Sequence, residues 1–219
     1  MTYGFQITSD AGVPGLSPEV HGLIRRASGT SAPSTGLSVY FPATYIAPVL
    51  FVRPTTQNCA IMIMEVTNGS FSYSCPDCPI DWVVYEAGPI ATTDENQHGM
   101  RLFSDTGAIT FDSNYPPPEV ISAGFAAQSQ PSSSSWTNET SFVGAAHDGG
   151  LPYISASSLL PALMTFIPAP RIGMIFSIQA TYTSPTNIHW SLMQTYQFSM
   201  QGYEVVPLGA YPRPYMIIR

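Results

Sequence analysis

Lysine is absent from this sequence of 219 residues, and its seven basic residues are all arginines. Charged residues make up only 10% of the chain, against about 25% in typical soluble domains. The formal net charge is −7 and the pI is about 4.8. Phosphate binding needs clustered Lys or Arg, and only Arg25 and Arg26 form a basic pair. The composition therefore argues against a nucleic-acid-binding surface.

The low charge also bears on how the protein is kept in solution. A surface with so few charges favours burial of much of that surface in an assembly. The alternative is a monomer that is solvated by its many Ser, Thr, Asn and Gln side chains. We predict assembly.

Long apolar runs are missing as well. No stretch approaches the roughly 18 uninterrupted apolar residues of a transmembrane helix. The N-terminus lacks the basic n-region and apolar h-region of a secretory signal. We therefore expect a protein that is made in a cytoplasm, is not inserted into a membrane and does not use the general export route.

Residues that favour turns and strands are plentiful. The chain has 21 prolines, 17 glycines and 12 tyrosines, which argues against long helices and for many strands joined by turns. We predict about eleven strands in a β-sandwich of Greek-key or jelly-roll type with long loops. The best helical candidate is 155–166, which Pro161 limits to a short turn.

The predicted domain organisation is a single β domain over residues 1–219. A subdivision near 90–97 is the second option, with an N-terminal β module at 1–90 and a C-terminal β module at 98–219. Within this span, residues 23–34 are rich in Gly, Ser, Thr and Pro and are predicted to form a loop.

Hydrophobic patterning locates several strands. Residues 60–86 read as a meander, because an apolar run ends at Asn68-Gly69, a strong hairpin signal. Two long strands are predicted further along, joined by a turn at 184–187. The predicted strands are residues 37–41, 49–52, 60–66, 70–73, 80–86, 172–182 and 189–200.

The most informative feature is an internal echo. Residues 3–12 align without gaps on residues 98–107, shifted by 95 positions. Apolar residues alternate with polar ones before a Ser-Asp-x-Gly turn in both copies, so each copy is predicted to be a strand that runs into a tight turn. The second copy continues into another strand and is predicted to be a β-hairpin. The residues of the repeated turn motif are Gly4, Asp10, Gly12, Gly99, Asp105, Gly107 and Asp112.

This combination of a Gly-apolar-x-apolar strand, an Asp-x-Gly turn and a closing Phe111-Asp112-Ser113 resembles minor tail or tail-tip proteins of long-tailed (siphovirus-like) bacteriophages. The resemblance covers residues 1–12 and 98–115. It implies a non-enzymatic structural component of a phage virion, at the tail tip or baseplate. A virion location also agrees with the missing export signal, because virions leave the cell by lysis.

No catalytic motif is found. The sequence has no Gly-x-Ser-x-Gly, no Walker A loop, no His-Glu-x-x-His and no Rossmann glycine triplet. The four histidines are scattered singly, and His147-Asp148-Gly149-Gly150 reads as an ordinary turn. The acidic pairs Asp94-Glu95 and Asp77/Asp81 are near each other only in sequence. We therefore predict no catalytic residues and no cofactor.

Three cysteines remain, Cys59, Cys75 and Cys78. Cys75-Pro76-Asp77-Cys78 has the spacing of half a zinc site, but the second half is missing. The flanking prolines favour a β-turn. A structural turn or a labile disulfide is therefore preferred over a metal site, and no metal is predicted.

Three functional hypotheses follow, and the third, a small hydrolase, is disfavoured because no acid–base–nucleophile set can be named. In the first, the protein binds itself and other phage tail proteins through edge strands and terminal segments in a multi-copy assembly. The apolar C-terminus, which Pro212 and Pro214 hold extended, is predicted to dock on a partner. In the second, the protein is a carbohydrate- or receptor-binding β-sandwich that uses exposed aromatic side chains on host glycans or receptors. The predicted interface residues are Tyr211, Tyr215, Met216, Ile217 and Ile218.

Overall fold

The structure is a computed structural model. It describes residues 7–8, 14–16, 23–45, 47–87, 99–103, 106–107, 109–113, 117–126, 137–141, 149–160, 162–166, 172–199 and 213–219. The strands are β1 (Ile7–Thr8), β2 (Pro14–Leu16), β3 (Leu23–Ser31), β4 (Ser34–Tyr40), β5 (Val49–Pro54), β6 (Ala60–Val66), β7 (Ser70–Cys75), β8 (Ile80–Ala87), β9 (Arg101–Phe103), β10 (Ile109–Asp112), β11 (Val120–Ala126), β12 (Thr137–Ser141), β13 (Tyr153–Ser155), β14 (Ala162–Phe166), β15 (Ile172–Ser184), β16 (Asn187–Ser199) and β17 (Arg213–Ile218).

The described part of the chain is all-β, apart from one 3₁₀ turn at Ala156–Leu159. A six-stranded sheet has the order β11-β17-β13-β5-β8-β3. A seven-stranded sheet has the order β12-β16-β15-β6-β7-β4, and β14 pairs with β15 beside this path. Two small two-stranded sheets, β1-β2 and β9-β10, complete the fold. The predicted all-β class is confirmed.

The main core lies between the two large sheets, as in a sandwich. Alternate residues of each strand point inward because the side-chain period of a strand is two. The six-stranded sheet contributes Leu50, Val52, Val84, Ile154 and Ile217 to this core, and the seven-stranded sheet contributes Ile61, Ile63, Phe71, Tyr73, Ile178, Ile188 and Trp190.

The outward faces of the two sheets differ in chemistry. On the six-stranded sheet, the outward residues Phe51, Val83, Tyr85 and Ile218 form a second buried apolar cluster. This sheet therefore has an apolar cluster on each face. On the seven-stranded sheet, the outward positions carry mostly small polar residues, among them Ser72, Ser74, Gln179, Thr181 and Ser191.

When the chain is divided into two units, the strands of each large sheet follow an equivalent order from either end of the sheet to its middle. In the first unit (residues 23–87), β8 lies between β3 and β5, and β7 lies between β4 and β6. In the second unit (residues 120–218), β17 lies between β11 and β13, and β16 lies between β12 and β15. The chain therefore contains the same six-strand unit twice, with β14 as an addition to the second unit.

The residue pairing supports this duplication. β3 and β11 both shift register at equivalent positions, just after Arg25 and Val120. Further residue pairs are equivalent in the two units. The equivalent pairs are Gly29–Trp82 and Gly124–Tyr215, Leu50–Val84 and Ile154–Ile217, and Tyr40–Ser70 and Ser141–Asn187.

A half-turn relates the two units. They join where β5 pairs with β13 and β6 pairs with β15, both antiparallel. Phe51 pairs with Ser155, and Met62 pairs with Gln179. The pairing of the other strands makes Phe51 the equivalent of Ser155 and Met62 the equivalent of Gln179. Each residue is therefore paired with its own equivalent, and the pseudo-twofold axis passes through both pairs. The contact between units has the form of an isologous dimer interface within one chain.

Two expectations need correction or refinement. Residues 23–34 were expected to be a loop, but Leu23–Ser31 is a strand, β3. Its Gly and Ser residues suit an edge position, where Gly29 lets the Trp82 ring pack against the backbone. The division near 90–97 falls between the two units, yet both large sheets contain strands of both.

Candidate functional site

The C-terminal segment is part of the fold. β17 lies inside the six-stranded sheet, paired with β11 on one side and β13 on the other. Ile217 faces the main core and Ile218 the second apolar cluster, and neither is exposed. Tyr215 packs on Trp190 with ring centroids 5.9 Å apart. The prediction that Tyr215, Met216, Ile217 and Ile218 form a docking tail is therefore wrong.

The physical reason is that Tyr215, Met216, Ile217 and Ile218 form a continuous apolar run, which is the pattern of a strand that is buried on both faces. Pro214 does not prevent pairing, because it is exposed near the start of β17, opposite Phe125. Proline is tolerated at the start of a strand, so Pro214 does not force the segment to project from the fold as a tail. Tyr211 and Pro212 lie outside the described residues.

The repeated motif forms two hairpins of the same register. β1 pairs with β2 and β9 pairs with β10, both antiparallel and both with a shift of register. The equivalent pairs are Thr8–Pro14 and Phe103–Ile109, and Ile7–Leu16 and Leu102–Phe111. Each residue of the first hairpin is 95 positions before its equivalent. The predicted hairpin of the second copy is confirmed.

The second hairpin shows what individual motif residues do. Gly99 and Gly107 both have positive φ, 133° and 82°, which glycine adopts without steric cost. Asp112 is buried and accepts a hydrogen bond of 2.6 Å from Arg101 Nε across the ladder. Ser113 Oγ accepts a hydrogen bond from the Met100 N–H at 2.9 Å. The Phe-Asp-Ser segment therefore closes the hairpin. Gly4, Asp10, Gly12 and Asp105 lie outside the described residues.

An exposed edge strand, β4, is a site that sequence reasoning missed. Among the strands that the structure describes, β4 ends the seven-stranded sheet and pairs only with β7. It contains no charged residue and no proline, the features by which proteins protect sheet edges from pairing. Leu37 is 43% exposed and Tyr40 is 78% exposed. The available signal was an uncharged, alternating Ser-Thr-Gly-Leu-Ser-Val-Tyr run.

Three thiols meet at the edge of the main core. Cys59 precedes β6, Cys75 ends β7 and Cys78 lies in the turn that follows. The Sγ atoms of Cys75 and Cys78 are 3.6 Å apart, and Cys59 Sγ lies 3.0 Å from Thr56 Oγ1. The Cys-Pro-Asp-Cys segment is a turn, as predicted. Among the described residues, no group of three or more His, Cys, Asp or Glu side chains is arranged to hold a metal ion.

Of the acidic and histidine candidates, Asp81 takes structural contacts. Asp81 accepts hydrogen bonds from Arg53 at 3.0 Å and from the Thr30 hydroxyl at 2.7 Å. Arg53 also donates to the Leu151 carbonyl and lies over the Tyr153 ring. Through Tyr153 this network adjoins the second apolar cluster. Asp94, Glu95 and His147 lie outside the described residues.

Comparison with protein-family models, with curated proteins and with solved structures found no match to this chain. Within the described residues, no helix is long and apolar enough to cross a membrane. The geometry of the chain itself is therefore the basis on which a function is proposed below.

Proposed function

We propose that this protein is a non-enzymatic structural component of a phage virion, placed at the tail tip or baseplate, and that it acts through protein–protein interfaces in a multi-copy assembly. The observation that carries the interface part of this proposal is the unprotected edge strand β4. A neighbouring protein extends the seven-stranded sheet there by adding a strand, with main-chain hydrogen bonds for affinity and side-chain pockets for specificity.

The side chains of β4 fit such an interface. Leu37 and Tyr40 expose apolar and aromatic surface, and aromatic residues are enriched at interfaces. The strand has no charge to repel a partner. The low overall charge of the chain, 10%, agrees with a protein that works in an assembly.

The duplication supports a bridging role. β12 is the equivalent of β4 and ends the same sheet on the opposite side. One molecule thus offers two edges, related by the half-turn between its units, and joins two neighbours. The placement in a phage tail itself is supported by the resemblance of residues 1–12 and 98–115 to tail-tip proteins.

The test introduces the tag and the substitutions into the gene, within the genome that encodes the protein. An epitope-tagged chain is followed through purification of virus particles, together with a Leu37→Lys variant and a Met64→Lys control. Met64 is equally exposed, 43%, but lies on β6, an interior strand of the sheet. Wild type and Met64→Lys should be found in particles, and Leu37→Lys should be depleted. A wild-type chain that never enters particles and sediments as a monomer contradicts the proposal.

A second candidate function rests on Tyr40. This ring is 78% exposed on the outward face of its sheet, opposite Ser70 and near Ser38 and Ser72. An exposed aromatic ring among hydroxyls suits stacking on a sugar. In that case the isolated monomer binds a surface glycan on an array, and Tyr40→Ala loses the binding while assembly into particles is unchanged.

A further inference from the structure

All three cysteines of the chain lie in one cluster of the first unit. Cys75 is fully buried, whereas Cys78 and Cys59 are 4% and 6% exposed. Thr55, Thr56, Pro76 and Asp77 around them are exposed. The cluster therefore lies just below the surface, with Cys75 as its innermost sulfur.

Buried cysteines often serve only as small apolar side chains, so the second unit provides an internal comparison. Tyr73 and Trp190 occupy equivalent places in β7 and β16, because they pair with the equivalent residues Ile63 and Ala180. Two residues further on, Cys75 corresponds to Leu192. The same strand is therefore built with a leucine in the second unit, and the fold of the unit does not require a thiol there.

The three thiols differ in their acidity. Burial raises the pKa of Cys75 to about 12, and the neighbouring Cys78 adds to this rise. Burial also acts to raise the pKa of Cys78, but hydrogen bonds from Cys59, from the hydroxyl and backbone N–H of Thr56 and from Cys75 outweigh it and lower that pKa below the ordinary value. Cys78 is therefore the more acidic thiol of the Cys75 and Cys78 pair, and thiolates are the nucleophiles of disulfide exchange.

We propose that this cluster is a thiol–disulfide exchange site, in which Cys78 attacks a small disulfide such as oxidised glutathione and Cys75 completes an intramolecular Cys75–Cys78 disulfide. The two sulfurs are 3.6 Å apart and must approach to about 2.05 Å in the bond. The exposed Pro76-Asp77 turn between them is where the backbone adjusts.

The chemistry balances in two steps. The Cys78 thiolate attacks one sulfur of oxidised glutathione, which forms a mixed disulfide on Cys78 and releases one glutathione thiolate. The Cys75 thiol then gives up its proton and attacks Cys78 Sγ, which releases the second glutathione. The protein loses two protons and two electrons, and one oxidised glutathione becomes two reduced ones. Cys59 remains a thiol that donates a hydrogen bond to Cys78.

The experiment incubates the folded full-length chain in buffers of graded reduced-to-oxidised glutathione ratio, alkylates the remaining thiols after denaturation and measures the mass. Wild type should lose two of its three thiols, and peptide mapping should join Cys75 to Cys78. Cys59→Ser, the matched control, should form the same disulfide. Cys75→Ser should stop at a glutathione adduct on Cys78, and Cys78→Ser should keep both of its thiols.

Two results would overturn the proposal. One is a folded wild-type chain that keeps three free thiols at every ratio while the unfolded chain oxidises. The other is a disulfide that includes Cys59 in wild type. Circular dichroism checks that each variant is folded, and where a serine variant is not, the corresponding alanine variant and the wild-type mapping decide.

Discussion

At the scale of single residues, two equivalent glycines each have the aromatic ring of another residue packed against their backbone. A Cβ atom added at Gly29 would lie 2.8 Å from Trp82 Cζ2, and one added at Gly124 would lie 3.1 Å from Tyr215 Oη. Both rings pack on the main core, but the Trp82 contact is shorter than 3.0 Å, whereas the contacts with Tyr215 begin at the hydroxyl oxygen and reach its ring carbons only at 3.3 Å. The two sites therefore tolerate a methyl group to different degrees.

We predict that Gly29→Ala lowers the free energy of unfolding by about 1–3 kcal/mol, as overpacking does, and that Gly124→Ala lowers it less. Gly36→Ala is the control, because no atom lies within 4 Å of the position of its Cβ. Urea denaturation measures all three. Equal stability of Gly29→Ala and Gly36→Ala would show that the Trp82 ring moves aside without cost.

At the scale of elements, β17 decides how the six-stranded sheet is held together. It is the strand that connects β11 to the rest of the sheet, through β13. Its inward residue Ile217 contacts the main core and its outward residue Ile218 the second cluster. Because β17 is paired on both sides and Ile217 and Ile218 are buried, it offers a partner neither a free edge nor these two side chains.

We predict that Ile217→Ala destabilises the protein by roughly 2–5 kcal/mol, because it leaves a cavity in a packed core. Val120→Ala is the matched control on the neighbouring strand β11. Val120 is 49% exposed, and exposed substitutions usually change stability by less than about 0.5 kcal/mol. Thermal unfolding by circular dichroism compares them. If Ile217→Ala leaves the free energy of unfolding nearly unchanged, the C-terminal segment is a dispensable tail and not a part of the core.

At the scale of the whole molecule, the half-turn between the units has a consequence for the order of the chain. It exchanges β8 with β17, and the two hairpins are equivalent in sequence and pairing register. We expect the hairpins to follow the same half-turn, so that the connection from β8 to β9 has an image that runs from β17 back to β1. A linker of the length of residues 88–100 should close that gap.

We predict that a circular permutant, in which such a linker joins Arg219 to Met1 and the chain opens within residues 88–97, folds to the same structure. Exposed connections between units are where permutation is tolerated. Its circular dichroism spectrum and its unfolding midpoint should match those of wild type within a few degrees. A permutant without a cooperative transition would mean that the two units are not joined as equivalents.

Local patterns were enough to predict much of this fold. Period-two alternation with abundant Gly and Pro predicted an all-β chain, and Asn68-Gly69 and the turn at 184–187 placed two hairpins. These features depend on neighbours in sequence, so a single chain reveals them. The ten-residue echo showed a part of the duplication in which several residue identities are retained at fixed spacing.

Only the tertiary structure decided the rest, because strand pairing is non-local. The duplication covers both units, but core positions such as Tyr73 and Trp190 keep apolar character without keeping identity. The two-residue periodicity shows which face of a strand is buried, but it does not show which strand is paired with it. The burial of Ile217, the edge position of β4 and the meeting of Cys59 with Cys75 and Cys78 all follow from pairings between distant segments, which the sequence alone does not specify.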